Sequence, residues 1–364
     1  MLADAYGRPL NNLRIAVTKE CNYKCIFCHI EGDPSGSPAK PGSQPPLMGP
    51  FDYLVIAMAA SSLGVTSFKI TGGEPLIRSD IVDVVRSIRE GAPASDVSMT
   101  TNGYLLARLA APLAEAGLDR VNISIHSTRR SVYRAITGVD GLPRALEGLR
   151  AAVDVGFRQV KINAVILSGF NEGELWDLAR LARDHGAILQ LIELHPVGRG
   201  AIRFRRYHTP LERFERELLE KGARVRRRSL HNRPVYELPD GTIVEVVRPY
   251  ANPLFCAGCT RVRLLADGTL SPCLNWRGPR VNLLGRLRRA ASFEDKLRAA
   301  REALVEVNTL RRPFYLWPLR DGELGPAGVG GDARRGGSLR VLIPKRASLR
   351  RLRGEQPAHQ QYKA

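Results

Sequence analysis

This chain has no long apolar run. The roughly 20 residues that a membrane-crossing helix needs are approached nowhere in its 364 residues, and charge interrupts the best candidates. Met1–Glu20 holds neither an uninterrupted apolar segment nor a small-residue cleavage site, so no secretory signal is visible and a cytoplasmic protein without a membrane partner is expected. Acidic residues are scarce, with 36 Asp and Glu against 55 Lys and Arg, a formal net charge of +19. Cysteine is scarcer still, at six. They fall into two groups of three, so disulfides would leave each group with an odd thiol, and a disulfide framework is excluded for a protein of a reducing compartment.

What remains is the composition of a globular domain, 44% hydrophobic and 25% charged. The length allows one large domain or two ordinary ones. Nucleic acid is the first partner that a basic balance suggests. Much of the excess, however, sits in R-V-R-R-R at Arg224–Arg228 and in the Arg- and Gly-rich stretch Arg334–Lys363. It reads as a solvated surface and a basic tail, and no nucleic-acid partner is expected. A polyanionic small substrate such as a nucleoside triphosphate is the other reading, because arginine forks match phosphate geometry.

From residue 13 to about 193, short β-branched runs alternate with segments of helical period, the pattern of βα units around a parallel sheet. Strands are expected at Leu13–Thr18, Val65–Thr71, Asp96–Thr100, Arg120–Ile125, Gln159–Ile166 and Ala187–Leu194. Helices are expected over Phe51–Leu63, Asp80–Glu90, Leu105–Ala116, Leu142–Val155 and Glu172–His185. Right-handed crossovers curl six such units into an α/β partial barrel whose working face lies at the carboxyl ends of the strands. The Gly-, Pro- and Ser-rich stretch Glu31–Pro50 is too long for a plain connector and is expected to cover something. Past a helix near Leu211–Gly222, two Asp-Gly turns mark hairpins, and a last helix is expected over Phe293–Leu304. The divisions are thus 11–200 for the barrel, 201–320 for a smaller C-terminal region and 321–364 for a basic, mobile tail.

Cys21, Cys25 and Cys28 stand in C-N-Y-K-C-I-F-C directly after the first strand; Cys256, Cys259 and Cys273 lie in the hairpin region. Structural zinc normally takes four ligands, and each group offers three. His29 for the first group, and His231 or His195 for the second, stand at no familiar zinc spacing. Three thiolates can instead hold three corners of a four-iron cubane and leave the fourth iron open for chemistry. The second strand then ends in T-G-G-E-P, Thr71–Pro75, where two glycines let the backbone approach a ligand and Glu74 offers a carboxylate to an amino group.

The first triad together with G-G-E-P resembles the radical S-adenosylmethionine superfamily. The C-terminal pattern C-x-x-C-x-R-x-R, an Asp-Gly hairpin and a third cysteine resembles, within it, the GTP 3′,8-cyclase family of molybdenum cofactor biosynthesis. The similarity runs over about Asn11–Arg312, through L-R-I-A-V-T-K-E-C, T-T-N-G, N-I-S-I, V-K-I-N and P-V-G. It implies a partial (β/α)6 TIM-like barrel of the radical SAM type, with a [4Fe–4S] cluster on Cys21, Cys25 and Cys28 and a second on Cys256, Cys259 and Cys273. It also implies S-adenosylmethionine on the first cluster and one-electron reduction to a 5′-deoxyadenosyl radical. That radical takes hydrogen from the ribose 3′ carbon of GTP, whose ribose then bonds to carbon 8 of the guanine held by the second cluster. The product is (8S)-3′,8-cyclo-7,8-dihydroguanosine 5′-triphosphate, passed to a cyclic pyranopterin monophosphate synthase. An electron donor is required, and a homodimer is one expected state.

Position by position, the resemblance assigns GTP to Arg14, Lys69, Thr100, Lys161, Arg261, Val262 and Arg263, and S-adenosylmethionine to Phe27, Gly73, Ser124 and His195. Lys69 and Lys161 also stand out unaided, since a lysine in a barrel strand is costly unless it points at a polar ligand. The period of two puts Arg261 and Arg263 on one strand face, with Val262 and Leu264 on the other. His195 stands where the family commonly has methionine. The chain runs past the family's usual terminal Gly-Gly pair, for which Gly330-Gly331 and Gly336-Gly337 are candidates. A radical enzyme that modifies peptides would share the first triad but lack the paired arginines. A zinc-bearing nucleic-acid-binding protein would show binding that falls steeply with salt.

Overall fold

The computed structural model describes residues 1–32, 42 and 48–316, all within one compact unit, Met1–Val329. Most of the expected cover after Glu31, the tail and both candidate Gly-Gly pairs lie outside the described residues.

Six βα steps come first: β1 (Asn12–Ala16), α1 (Pro50–Ser62), β2 (Ser67–Thr71), α2 (Ile81–Gly91), β3 (Asp96–Thr101), α3 (Leu106–Glu115) and β4 (Arg120–Ser124). They continue through α4 (Arg130–Thr137), α5 (Leu142–Asp154), β5 (Gln159–Ile166), α6 (Leu175–Asp184) and β6 (Ile188–Glu193). The C-terminal region adds α7 (Arg199–Tyr207), α8 (Glu212–Glu220), β7 (Arg224–Arg227), β8 (Pro234–Glu237), β9 (Ile243–Val247) and α9 (Pro253–Ala257). It ends with β10 (Arg261–Leu264), β11 (Thr269–Ser271), β12 (Val281–Asn282), α10 (Leu283–Arg289) and α11 (Phe293–Thr309).

All six expected strands are present, with ends moved by no more than two residues. They pair in parallel, in sequence order. The strand order is β12-β11-β10-β1-β2-β3-β4-β5-β6-β9-β8-β7. The C-terminal strands therefore extend the barrel sheet: β10 pairs in parallel with β1, and β9 with β6. Both Asp-Gly hairpins form, β8–β9 and β10–β11, each antiparallel.

Four helices went unforeseen. In α4 the reason is its brevity, closed at Gly138 with φ +77°; α7 is rich in arginine and opens on Gly198-Arg199-Gly200, which reads as loop. The segments of α9 and α10 are similarly short. The expected Glu172–His185 helix opens as a 3-10 turn over Glu172–Glu174 before α6.

The core is the apolar belt between sheet and helices, where Leu13, Ile15, Phe68, Ile70, Val121, Ile123 and Ile162 are almost fully buried. α1 and α2 pack side by side, and α11 lies on α1. The last helix starts at a capping box: Ser292 Oγ accepts from Asp295 N at 3.1 Å, and Asp295 Oδ2 accepts from Ser292 N at 3.2 Å.

Candidate active site

The barrel encloses a cavity of about 350 Å³, lined from the carboxyl ends of the strands, at Phe27, Thr100 and Ser124, down to their first residues, at Asn12, Ser67 and Arg120. Strand register builds its wall. Arg14 of β1 stands level with Arg263 of β10 on one side and Lys69 of β2 on the other, and Lys161 of β5 stands level with Asn122 of β4. The period of two then turns Val262 and Leu264 into the core, both fully buried. Val262 accordingly does not line the cavity, whereas Arg261 and Arg263 do.

Each wall cation is held. Arg14 Nη2 donates to Glu31 Oε1 at 2.8 Å and to Thr71 Oγ1 at 3.1 Å, while Arg263 pairs with the other oxygen of Glu31. Burial alone would raise the Glu31 carboxyl, but Arg14 and Arg263 hold it well below the usual carboxylate range. Glu31 reaches this place on left-handed backbone, φ +45°, next to Ile30 at φ +50°. Lys69 Nζ donates to Met99 O at 2.9 Å and Asn122 Oδ1 at 2.7 Å. Its pKa is pushed well below that of an ordinary lysine by burial and by Arg120, Arg14, Lys161 and Arg261 around it. Arg261 Nε donates to Asn12 Oδ1 at 2.5 Å, and its pKa too is lowered by burial and crowding from Arg14 and Arg263. Lys161, 2% exposed, points at a polar group as expected, but the nearest is the chain's own Glu245. Glu245 is shared with Arg233 at 2.9 Å and Arg228 at 3.2 Å. Burial opposes its ionisation, yet these three cations hold its pKa to about 2.

The first cysteine loop leaves β1 and lies at the cavity's upper edge. Phe27 and His29, on either side of Cys28, line the cavity; the three thiols do not. The loop is pressed against the end of β2 through the glycine pair, since a Cβ on Gly73 would stand 1.9 Å from Glu20 O and one on Gly72 2.5 Å from Thr18 O. Gly73 is thus a packing contact with the cysteine loop rather than part of the cavity wall. Glu74 departs from its expected freedom: Oε1 accepts from Thr101 Oγ1 at 2.5 Å and Leu76 N at 3.0 Å, and Oε2 from Asn102 N at 2.6 Å. Burial raises its pKa to about 7. Cys256, Cys259 and Cys273 all line the cavity on the β10 side.

Both triads suit iron–sulfur clusters by their donor chemistry. All six cysteines are free. Burial raises Cys25 well above an ordinary thiol, with Cys28 and Cys21 adding to it, and raises Cys273 to about 11, with Cys259 adding to it. Thiols that raise one another's pKa when buried are stabilised as thiolates by a metal centre. Among the described residues no three His, Cys, Asp or Glu side chains converge on a single ion. Cubane corners are spread more widely than the ligands of a tetrahedral zinc.

At the upper end, Phe27 meets His126 edge to face at 4.7 Å, and Ser124 and His195 stand in the same wall. His195 Nε2 is 2.9 Å from Asn275 Oδ1, linking the end of β6 to the segment after Cys273, while its Nδ1 is buried without a protein partner. Sequence reasoning missed Glu31, Arg233 and Glu245. A signal existed for Glu245, a lone charge in the apolar run I-V-E-V-V, the criterion that found Lys161; none existed for Glu31, placed by an unusual turn.

A parallel βα barrel with C-x-x-x-C-x-x-C after its first strand defines the radical SAM class, and residues 15–182 match the Radical SAM superfamily. Residues 187–312 match Molybdenum Cofactor Synthesis C. The chain is 48% identical over 352 residues, 97% of each chain, to a probable GTP 3′,8-cyclase of Aeropyrum pernix. With the probable GTP 3′,8-cyclase of Metallosphaera sedula it shares 40% over 321 residues, 88% of this chain and 98% of that one. This chain belongs to the GTP 3′,8-cyclase family of radical SAM enzymes. Solved structures agree on the fold. Streptococcus suis SuiB bound to precursor peptide SuiA has a TM-score of 0.58 at 17% identity, over 76% of this chain and 63% of that one. For anSMEcpe with bound AdoMet the values are 0.50 and 16%, over 75% and 77%.

Proposed function

We propose that this chain converts GTP to (8S)-3′,8-cyclo-7,8-dihydroguanosine 5′-triphosphate, the first step of molybdenum cofactor biosynthesis, in the cytoplasm. The observation that carries this reading is the charge of the cavity: ten of its lining side chains are Arg or Lys and one, Glu193, is acidic. Four carboxylates, Asp4, Glu31, Asp96 and Glu245, serve seven of those cations between them. Cations gathered in such excess around one cavity are stabilised by a polyanionic ligand, and a triphosphate supplies one. The family relationship and the arginine pair at Arg261 and Arg263 favour a nucleotide over a peptide.

In this reading Cys21, Cys25 and Cys28 hold one [4Fe–4S] cluster, and Cys256, Cys259 and Cys273 hold the other. S-adenosylmethionine bound at the first supplies, on reduction by an electron donor, the 5′-deoxyadenosyl radical. Phe27, Ser124 and His195 line the cofactor end of the cavity, with Gly73 keeping the cysteine loop close. Arg14, Lys69, Thr100, Lys161, Arg261 and Arg263 orient the nucleotide and neutralise its charge, and Val262 contributes through the backbone of β10. The product goes on to a cyclic pyranopterin monophosphate synthase. Among the described residues no helix is long and apolar enough to cross a membrane.

Protein reconstituted anaerobically should carry about eight irons, one cubane per triad, and form the cyclised nucleotide together with 5′-deoxyadenosine. Stoichiometric zinc without sulfide, or absence of product from GTP, overturns the reading. Arg261→Ala and Arg263→Ala should each keep both clusters and bind GTP about thirtyfold more weakly, the cost of about 2 kcal/mol for a lost charged hydrogen bond.

A further inference from the structure

A second basin, of about 330 Å³, opens at the amino-terminal end of the barrel, where Asp96, Arg120, Gln159 and Ile188 begin β3 to β6. Arg120, Lys161 and Arg228 line both this basin and the main cavity, so the two share a wall made of three cations. Arg158 and Arg226 complete the basic lining on the solvent side.

Charge in the basin is unbalanced. Its two carboxylates are already divided: Asp96 pairs with both Arg120 and Arg158, and Glu245 with Lys161, Arg228 and Arg233. Arg226 has no carboxylate partner among the described residues, although it stands on β7 beside β8 with its side chain on the basin. A solvated arginine face is the ordinary fate of such residues. Here, however, the guanidinium groups of Arg120 on β4, Arg158 just before β5, Arg226 on β7 and Arg228 just after it line one concavity, and Arg120, Lys161 and Arg228 also line the main cavity with its other cations. Forked donors arranged around a recess match the oxygens of a phosphate.

We propose that this basin receives the terminal phosphate of the nucleotide: the phosphate chain leaves the main cavity between Lys161 and Arg228, and Arg158 and Arg226 hold its outer end. The proposal rests on the reading that the substrate is GTP and adds to it the residues that select a triphosphate over a shorter chain. Lys161 and Arg228, shared with Glu245, exchange part of that contact for phosphate oxygens, while Arg226 gains its first anionic partner.

The test uses the full chain with both clusters reconstituted and compares wild type with Arg158→Ser, Arg226→Ser and the double variant. Both residues are exposed and remote from the cysteines, and circular dichroism and iron content establish that fold and clusters are intact. Calorimetric affinities for GTP, GDP and GMP are the readout. The double variant should lose tenfold or more for GTP, less for GDP and nothing for GMP, and inorganic tripolyphosphate should compete with GTP at least tenfold less well. Arg226→Glu, which places a negative charge in the basin, should weaken GTP further than Arg226→Ser and again spare GMP. Equal weakening of GTP and GMP, or unchanged GTP affinity in the double variant and in Arg226→Glu, overturns the proposal. Failure of the wild type to bind any of the three nucleotides would instead defeat the reading of the substrate, so the two failures are told apart.

Discussion

Around the first cysteine segment the chain supports itself largely with backbone and aromatic contacts and one guanidinium, Arg199 Nη1 donating to Lys24 O at 3.1 Å, whereas two buried guanidinium groups grip the second. Lys24 N and Ile26 N donate to Thr137 O and Ile136 O at 2.9 and 3.0 Å, tying the first loop to the end of α4, and Tyr23 packs edge-on against Tyr104 and Tyr133. In the second segment, Arg8 Nη1 donates to Cys256 O at 2.8 Å and Arg311 Nη2 to Cys259 O at 2.6 Å. Arg311 is 2% exposed and also donates to Arg8 O, Pro9 O and Asn308 Oδ1. The contrast divides labour. Backbone and aromatic packing does most of the work of fixing the first loop, with one cation, Arg199, beside it, while the buried cations Arg8 and Arg311 both fix the second segment and favour thiolates and an anionic ligand next to them.

The comparison breaks most sharply at the cysteines. Cys25→Ala should abolish formation of 5′-deoxyadenosine under reduction, and Cys259→Ala should spare part of that cleavage while eliminating cyclised nucleotide. Product analysis by chromatography decides it; cyclisation surviving in Cys259→Ala would end the assignment of separate roles.

A smaller effect should follow at Arg311. Replacement by Met keeps the bulk but strips buried carbonyls of their donor, at about 1–3 kcal/mol for each group left unsatisfied. Iron should fall from about eight to about four per chain, with the first cluster's cofactor cleavage retained. Loss of both clusters in parallel would show instead that Arg311 serves the fold as a whole.

The smallest expected effect is acid sensitivity in the cation-rich wall. Glu245 is held to a pKa of about 2, below its ordinary 4.5, so the folded state keeps this carboxylate charged where the unfolded state takes up a proton. Its stabilisation is complete above about pH 4.5 and is lost as pH falls toward 2. Urea unfolding across that range should show declining stability in the wild type. Glu245→Gln should be less stable at neutral pH and decline less over the same range; an identical decline would remove Glu245 as the cause.

Much of the barrel was legible because its strands are short apolar runs whose buried faces leave few alternatives, as in Gln159–Ile166. The cysteines and the R-V-R face were legible for the same local reason, spacing. Partners distant in sequence were not. Glu245 meets Lys161 only because β9 joins the sheet beside β6, and the grip of Arg8 and Arg311 on the second cysteine segment depends on where both ends of the chain pass. A short helix such as α4 carries too few turns for its period to show against the loop around it. Glu74 looked free because its hydrogen-bond donors, Thr101 and Asn102, belong to another strand end.

The pairing of β10 with β1, Asn12 opposite Arg261, has a consequence for synthesis. A ribosome delivers Asn12 249 residues before Arg261, so one edge of the nascent sheet has no neighbour until that whole stretch has emerged. Contacts of such sequence separation form late, and an unpaired parallel edge invites association with other chains. Arg14, which faces the cavity from β1, then serves the newborn chain as well, since a charge on an open edge discourages a second copy from docking there.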